Sequence, residues 1–197
     1  MMVDLVLGSG SPRRAALLKQ VGLTLDINPP DVDETVHDAE TPIAYVERVC
    51  AMKFAVAAKA EEQNITLCAD TIVVLDGQIL GKPRDEAHSL QMLQQLSGKV
   101  HKVITAVKVG RWAQSADQRA FWVETNVKFR ELTKEEISAY WQTREPRDKA
   151  GSYGIQAAGA MFVERIEGSF SNVIGLPLVE TVHALRRLGV PILGVRE

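Results

Sequence analysis

Apolar positions along the chain fall into short dense runs and helical stripes, separated by small polar clusters. Val3 to Leu7 (VDLVL) predicts a first strand. After the loop Gly8-Ser9-Gly10-Ser11, Pro12 suits the first position of a helix with Ser11 as its cap. Ala15, Leu17, Leu18 and Val21 continue that helix, and Gly22 ends it. Leu23 to Ile27 predicts a short strand, followed by a loop from Asn28 to Thr41. Thr41-Pro42 opens a long helix by the same cap-then-proline logic, with Ile43, Val46, Cys50, Phe54 and Ala57 as its apolar stripe. The run Leu67 to Leu75 predicts a central strand, with Asp76-Gly77 as a turn and Gln78 to Gly81 as the return.

Arg84-Asp85 opens a further helix with Leu90, Leu93 and Leu96 on one face, stopped at Gly98. Val100 to Val109 and Phe121 to Leu132 predict two strands, the second alternating through Val123, Thr125, Val127 and Phe129. Thr133 to Glu136 is a capping box opening a helix to about Arg144. Glu145 to Gly159 predicts a Gly-rich loop, Ala160 to Ile166 a final strand, and Gly168 to Pro177 a loop leading into a helix over Leu178 to Leu188. Strands, hairpins and helices are interspersed without a repeat or a low-complexity linker. That pattern predicts an α/β fold with a mixed sheet.

Composition narrows the picture. A chain of 197 residues with 46% hydrophobic content can bury a core, and its net charge of -2 supplies no global field for nucleic acid. Any anion site is therefore a local cluster. Cys50 and Cys68 lie in apolar segments without CxxC spacing, which predicts buried free thiols. The four histidines, His37, His88, His101 and His183, are scattered, which argues against a histidine-built metal centre. No run approaches about 18 apolar residues and no signal peptide is evident, so the expectation is a cytoplasmic protein that does not enter a membrane.

Three stretches carry candidate chemistry. Asp70 is a carboxylate inside a buried strand, where it needs a hydrogen bond, a cation or a metal. Lys82 ends the hairpin that begins at Asp70, a pairing of acid and cation suited to phosphate chemistry. Taken alone, Asp70 also fits a structural ion pair. In GSGSPRR, Gly8 to Arg14, a small-residue loop meets a helix N-terminus, where backbone N–H groups and the dipole favour an anion. Arg13 and Arg14 oppose that dipole: either a bound anion resolves the conflict, or the stretch is an ordinary capped helix with exposed arginines. The stretch lacks GK[ST] and a third glycine, so it is neither a Walker A loop nor a dinucleotide fingerprint. Lys53 borders the buried stripe of the long helix and either snorkels to water or reaches a functional cleft. The acidic loop with Asp31, Asp33, Glu34, Asp38 and Glu40 is either solvated or a metal contributor.

These segments, with DKAGSYGIQ at Asp148 to Gln156 and GSFSNVIGLP at Gly168 to Pro177, resemble the Maf family of nucleotide pyrophosphatases in the family's own order. The resemblance covers nearly the whole chain, so residues 1–197 are expected to form a single Maf-like domain. It implies a curved mixed β-sheet flanked by helices, in two lobes around a cleft, related to the inosine triphosphate pyrophosphatases. It implies hydrolysis of a nucleoside triphosphate to the monophosphate and pyrophosphate with a divalent metal, Mg²⁺ or Mn²⁺; it is compatible with house-cleaning of modified pyrimidine nucleotides and with a homodimer, and fixes neither.

Carried over by position, Asp70 matches the family's proton acceptor, and Ser9, Arg13, Arg14, Lys53 and Lys82 match its phosphate-handling residues. Glu34 matches its second acidic group and, with Asp70, a metal ligand. Arg13, Thr71 and Gln156 match the branch that resembles dTTP/UTP pyrophosphatases, rather than the one acting on 7-methyl-GTP. A glutamine amide both donates and accepts, which suits reading a pyrimidine; Gln156 either does so or ties down its own loop. Arg13, Arg14 and Lys82 are expected to be exposed to a cleft. Ala157, Ser152 and Phe170 depart from the family's usual residues inside their motifs. A different class, a nucleotide-sensing regulator of septum formation without turnover, is separated from the enzyme by pyrophosphate release.

Overall fold

The computed structural model describes residues 3–195. Among the described residues the chain is a mixed α/β protein with seven strands in one sheet and helices between them. The strand order is β2-β1-β3-β5-β6-β7, with β4 paired to β3, where β1 is Leu5–Leu7, β2 Leu25–Ile27, β3 Thr66–Leu75, β4 Gln78–Leu80, β5 Val100–Gly110, β6 Arg119–Phe129 and β7 Val163–Glu167. β1 runs parallel to both β2 and β3, whereas β3–β4 and β6–β7 are antiparallel.

The chain divides into two compact units. The first comprises Met1–Asp70, Thr105–Val123 and Gly175–Glu197, and the second Thr71–Ile104 and Glu124–Ile174. The first unit carries the helices α1 (Pro12–Gln20), α2 (Pro42–Ala60) and α6 (Leu178–Arg187). Its caps follow from sequence: Ser11 accepts from Arg14 N and Thr41 accepts from Ala44 N, each ahead of a proline. Val46, Val49, Phe54, Leu67, Leu7 and Leu18 are buried in its interior.

The second unit carries α3 (Glu86–Leu96), α4 (Lys134–Gln142) and the short α5 (Phe170–Ile174). Its core packs Val73, Leu93, Leu96, Phe129, Ile137, Tyr140, Tyr153 and Phe162 together. The β3–β4 turn has φ of 50° at Asp76 and 81° at Gly77, the two positive angles that an Asp-Gly hairpin turn requires. Thr133 and Glu136 cap α4 reciprocally, as the sequence predicts.

Three local expectations are corrected. The expected strand over Ala160 to Ile166 begins at Val163, because Ala158–Phe162 winds into 3₁₀ turns that bury Gly159 and Phe162. The loop expected from Gly168 contains α5, which buries Asn172 so that its Nδ2 donates to Val103 O and Thr125 Oγ1. The first strand is shorter than Val3 to Leu7, with Val3 exposed.

Candidate active site

Asp70 lies on β3 and is 7% exposed. Its partner is Lys53, three helical turns into α2, whose Nζ donates to Asp70 Oδ1 at 2.6 Å. The same ammonium lies 2.7 Å from Glu34 Oε1, so one cation joins two carboxylates from different parts of the chain. The lysine stem follows the apolar stripe of α2, leaving the Lys53 side chain 12% exposed.

Burial pushes the Asp70 carboxyl above the usual carboxylate range, and the charges of Lys53 and Arg14 hold it back. Burial alone would lower the Lys53 ammonium, but the Asp70 charge and the hydrogen bonds to Asp70 and Glu34 outweigh it and raise its pKa. A carboxylate displaced upward and fixed by an ammonium is a better proton acceptor than an ordinary carboxylate.

Arg14 occupies the adjoining loop-to-helix junction. Its Nη1 donates to Ser9 Oγ at 2.8 Å and its Nε to Gly175 O at 2.8 Å. Ser9 Oγ also accepts from Ser11 N at 3.3 Å. The expectation that Arg14 is exposed to a cleft is corrected: it is 9% exposed and forms part of the loop's own framework. Burial lowers its pKa, with Asp70 opposing that shift. Arg13, in the same turn, is half-buried.

The loop passes close over the two cysteines. A Cβ on Gly8 would lie 2.2 Å from Cys68 Sγ and 3.0 Å from Ala57 Cβ, so this position admits only glycine without rearrangement. Cys50 and Cys68 are both buried free thiols, pushed up to about 12 by burial, and Cys50 Sγ donates to Cys68 O.

The remaining site candidates belong to the second unit. Lys82 is exposed just beyond β4, and Thr71 is half-buried on β3 directly after Asp70, facing the other side of the strand. Gln156 is exposed at the end of a loop whose other members are tied down. Tyr153 Oη meets His101 Nε2 at 2.8 Å, Gly154 N donates to Tyr140 Oη at 3.1 Å, and Ser152 Oγ meets Ser89 Oγ at 2.5 Å. Glu145 accepts from Ala158 N at 2.9 Å. Gly151 has φ of +66°, and a Cβ there would meet Val73 Cγ1 at 2.9 Å, so the loop is seated directly on β3. The Gln156 side chain makes no hydrogen bond among the described residues.

Sequence reasoning identified Asp70, Lys53, Glu34, Ser9 and Arg14 separately, and the first unit joins them through Lys53 and through Arg14. It did not single out Tyr45 or Arg48, which secure the acidic loop. Their signal was faint: two polar-tipped side chains three apart on the helix face that follows the loop.

Donor chemistry in this cluster suits a hard divalent cation. Asp70 and Glu34 converge on one positive charge, and Mg²⁺-type ions are held by one or two carboxylates together with substrate phosphates. No helix among the described residues is long and apolar enough to cross a membrane.

A family profile described as "Maf-like protein" matches residues 4–188. The chain is 50% identical over 185 residues to the dTTP/UTP pyrophosphatase of Vibrio vulnificus (strain YJ016), covering 93% of this chain and 98% of that protein. It is 46% identical over 196 residues to the dTTP/UTP pyrophosphatase of Neisseria meningitidis serogroup B, covering 95% of each. A solved structure titled "Structure of a HAM1 protein from Coxiella burnetii" is similar with a TM-score of 0.46 and 16% identity, over 65% of this chain and 73% of that one.

Proposed function

The chain belongs to the Maf family, and we propose that it hydrolyses dTTP and UTP to the nucleoside monophosphate and pyrophosphate. The substrate class rests on relatives of that activity at about half identity over nearly their full length. The observation that carries the chemistry is the buried Asp70 carboxylate fixed by Lys53 beside Glu34.

In this reading Asp70 is the general base. Its raised pKa makes it a stronger proton acceptor than an ordinary carboxylate, and Lys53 fixes the direction in which its oxygens point. Water attacking the anhydride between the α- and β-phosphates loses its proton to Asp70, and pyrophosphate leaves. Loop N–H groups between Gly8 and Arg14, with Arg13, receive phosphate oxygens, and Lys82 is assigned to phosphate binding by its place in the family's motif. Arg14 and Ser9 hold that loop in shape, so Arg14 contributes field and framework together. Asp70 and Glu34 would hold the divalent metal, Mg²⁺ or Mn²⁺. When bound, it neutralises charge on the phosphate under attack. Gln156 reads the pyrimidine edge, a role supported by its exposed amide without a competing partner in its own loop.

The test is pyrophosphate release from UTP by the wild type beside Asp70→Asn. The variant keeps its fold and nucleotide binding and loses turnover by at least on the order of a hundredfold. Near-wild-type turnover in Asp70→Asn would remove Asp70 from the reaction. Binding without release by the wild type would mark a nucleotide-sensing regulator.

A further inference from the structure

Residues 28–40, which carry Glu34, form neither helix nor strand. Such a segment keeps one course only where its backbone groups find fixed partners. Here the partners sit on α2, the helix that also carries Lys53. Tyr45 Oη donates to Glu34 O at 2.9 Å, at the backbone of the acidic residue itself. One residue further, Arg48 Nη2 donates to Thr35 O at 2.9 Å. The same guanidinium grips Glu40 twice, Nε to Oε1 at 2.7 Å and Nη2 to Oε2 at 2.8 Å. Glu40 Oε2 in turn accepts from His37 N at 3.1 Å, which closes the bend between the two anchor points.

Arg48 is itself held. Its guanidinium carbon lies 5.5 Å from the centre of the Tyr45 ring, and its Nη1 reaches Met52 Sδ at 3.5 Å. The Arg48 and Glu40 side chains are 22% and 9% exposed, well covered for a pair near the surface. A two-bonded arginine–carboxylate contact fixes geometry in a way that a single solvated ion pair does not. The Arg48 hydrogen bonds are the main reason that the Glu40 carboxyl is held down at about 2. α2 therefore fixes Glu34 from two directions: its backbone through Tyr45 and Arg48, and its carboxylate through Lys53.

We propose that Arg48 is a positioning residue of the active site, holding the acidic loop so that Glu34 arrives at Lys53 beside Asp70. The proposal rests on the reading above, in which Glu34 works with Asp70 in nucleoside triphosphate hydrolysis. A lysine in place of Arg48 supplies charge but cannot bracket Thr35 and Glu40 together, so the planar fork is the required feature.

The experiment compares Glu34→Gln, Arg48→Ala, Arg48→Lys, Glu40→Gln and the double variant Arg48→Ala/Glu34→Gln with the wild type, reading pyrophosphate release from UTP with Mg²⁺. Glu34→Gln and Arg48→Ala each lower kcat/KM by on the order of tenfold or more. Arg48→Lys stays close to Arg48→Ala, and Glu40→Gln, which opens the clamp from its other side, moves the same way. In the Glu34→Gln background, adding Arg48→Ala costs less than about twofold, because the residue it positions is already disabled. Losses that multiply in the double variant overturn the proposal, as does wild-type efficiency in Arg48→Ala. Hydrogen exchange supplies a readout independent of turnover. In Arg48→Ala the amides of His37 and Glu40 exchange faster while those of Val6 and Gly8 on the sheet side do not change; unaltered exchange at His37 and Glu40 also overturns the proposal. A wild type that releases no pyrophosphate removes the functional reading, and the exchange measurement still decides whether Arg48 holds the loop.

Discussion

Around Asp70, positions are set by charge: Lys53 lies against Asp70 and Glu34, and Arg14 against Ser9 and Gly175. In the loop that ends at Gln156, positions are set by neutral groups. Tyr153 packs edge-on against Phe129 with ring centres 4.7 Å apart, its hydroxyl meets His101, and Tyr140 takes the Gly154 N–H. On the proposed function the difference follows from what each region would meet. A cluster taking a polyphosphate and a cation would hold charges whose partners can change when the ligand arrives. A loop presenting one amide to a flat base would need a rigid seat with no charge to compete, which aromatic packing supplies.

Acid breaks the neutral region by a route that the charged one does not share. His101 is 1% exposed, its Nε2 meets Tyr153 Oη, and its Nδ1 has no hydrogen-bond partner among the described residues. Burial pushes the ring down to about 4. Its unfolded value is about 6.5, so between pH 6.5 and 4 the unfolded chain takes up a proton that the folded one refuses. Stability from this group is complete above that window and falls as pH drops through it, by about 3 kcal/mol in all. Urea unfolding across the window, wild type against His101→Gln, measures it; the variant starts less stable and lacks this contribution to the slope.

The second test bears on the charged region. Arg14→Ala removes the donors to Ser9 Oγ and the Gly175 carbonyl and a buried cation near Asp70, so it lowers stability by about 2 kcal/mol and also activity. Lys82→Ala, at an exposed position, changes stability by less than about 0.5 kcal/mol while lowering kcat/KM. Equal unfolding midpoints for the two variants would return Arg14 to a purely ligand-facing role.

The smallest effect sharpens the contrast most. Gln156→Ala should lower kcat/KM for UTP about fivefold more than for CTP, worth about 1 kcal/mol of lost hydrogen bonding, with an unchanged unfolding midpoint. Equal losses for UTP and CTP would make Gln156 a support for its loop.

What could be read from the chain beforehand divides along similar lines. Local chemistry was legible: the caps at Ser11 and Thr41, the Thr133–Glu136 box and the Asp76-Gly77 turn depend on neighbours within four residues. That Asp70 needed a partner was also legible, because a charge inside an apolar strand cannot stand alone. Its identity was not, since Lys53 lies 17 residues away on another element. Arg14 shows the limit most clearly. Its oddity at a helix N-terminus was visible, but the carbonyl that explains its burial is 161 residues away, at Gly175. The short helix α5 was missed because Gly168, Ser169 and Gly175 around it carry turn signals stronger than its single turn of apolar residues.

The two thiols packed beneath Gly8 have a practical use. Cys50 and Cys68 are the chain's whole cysteine complement, and both are buried with pKa values near 12. At pH 8 on the order of one in ten thousand of such thiols is ionised, and a maleimide has no path to it in the folded protein. The native sequence is therefore already a blank background for site-directed labelling. A cysteine installed at the exposed Ala157, next to Gln156, would be the one reactive thiol, and on the proposed base-reading role of Gln156 a dye there would report nucleotide arrival without altering either native cysteine.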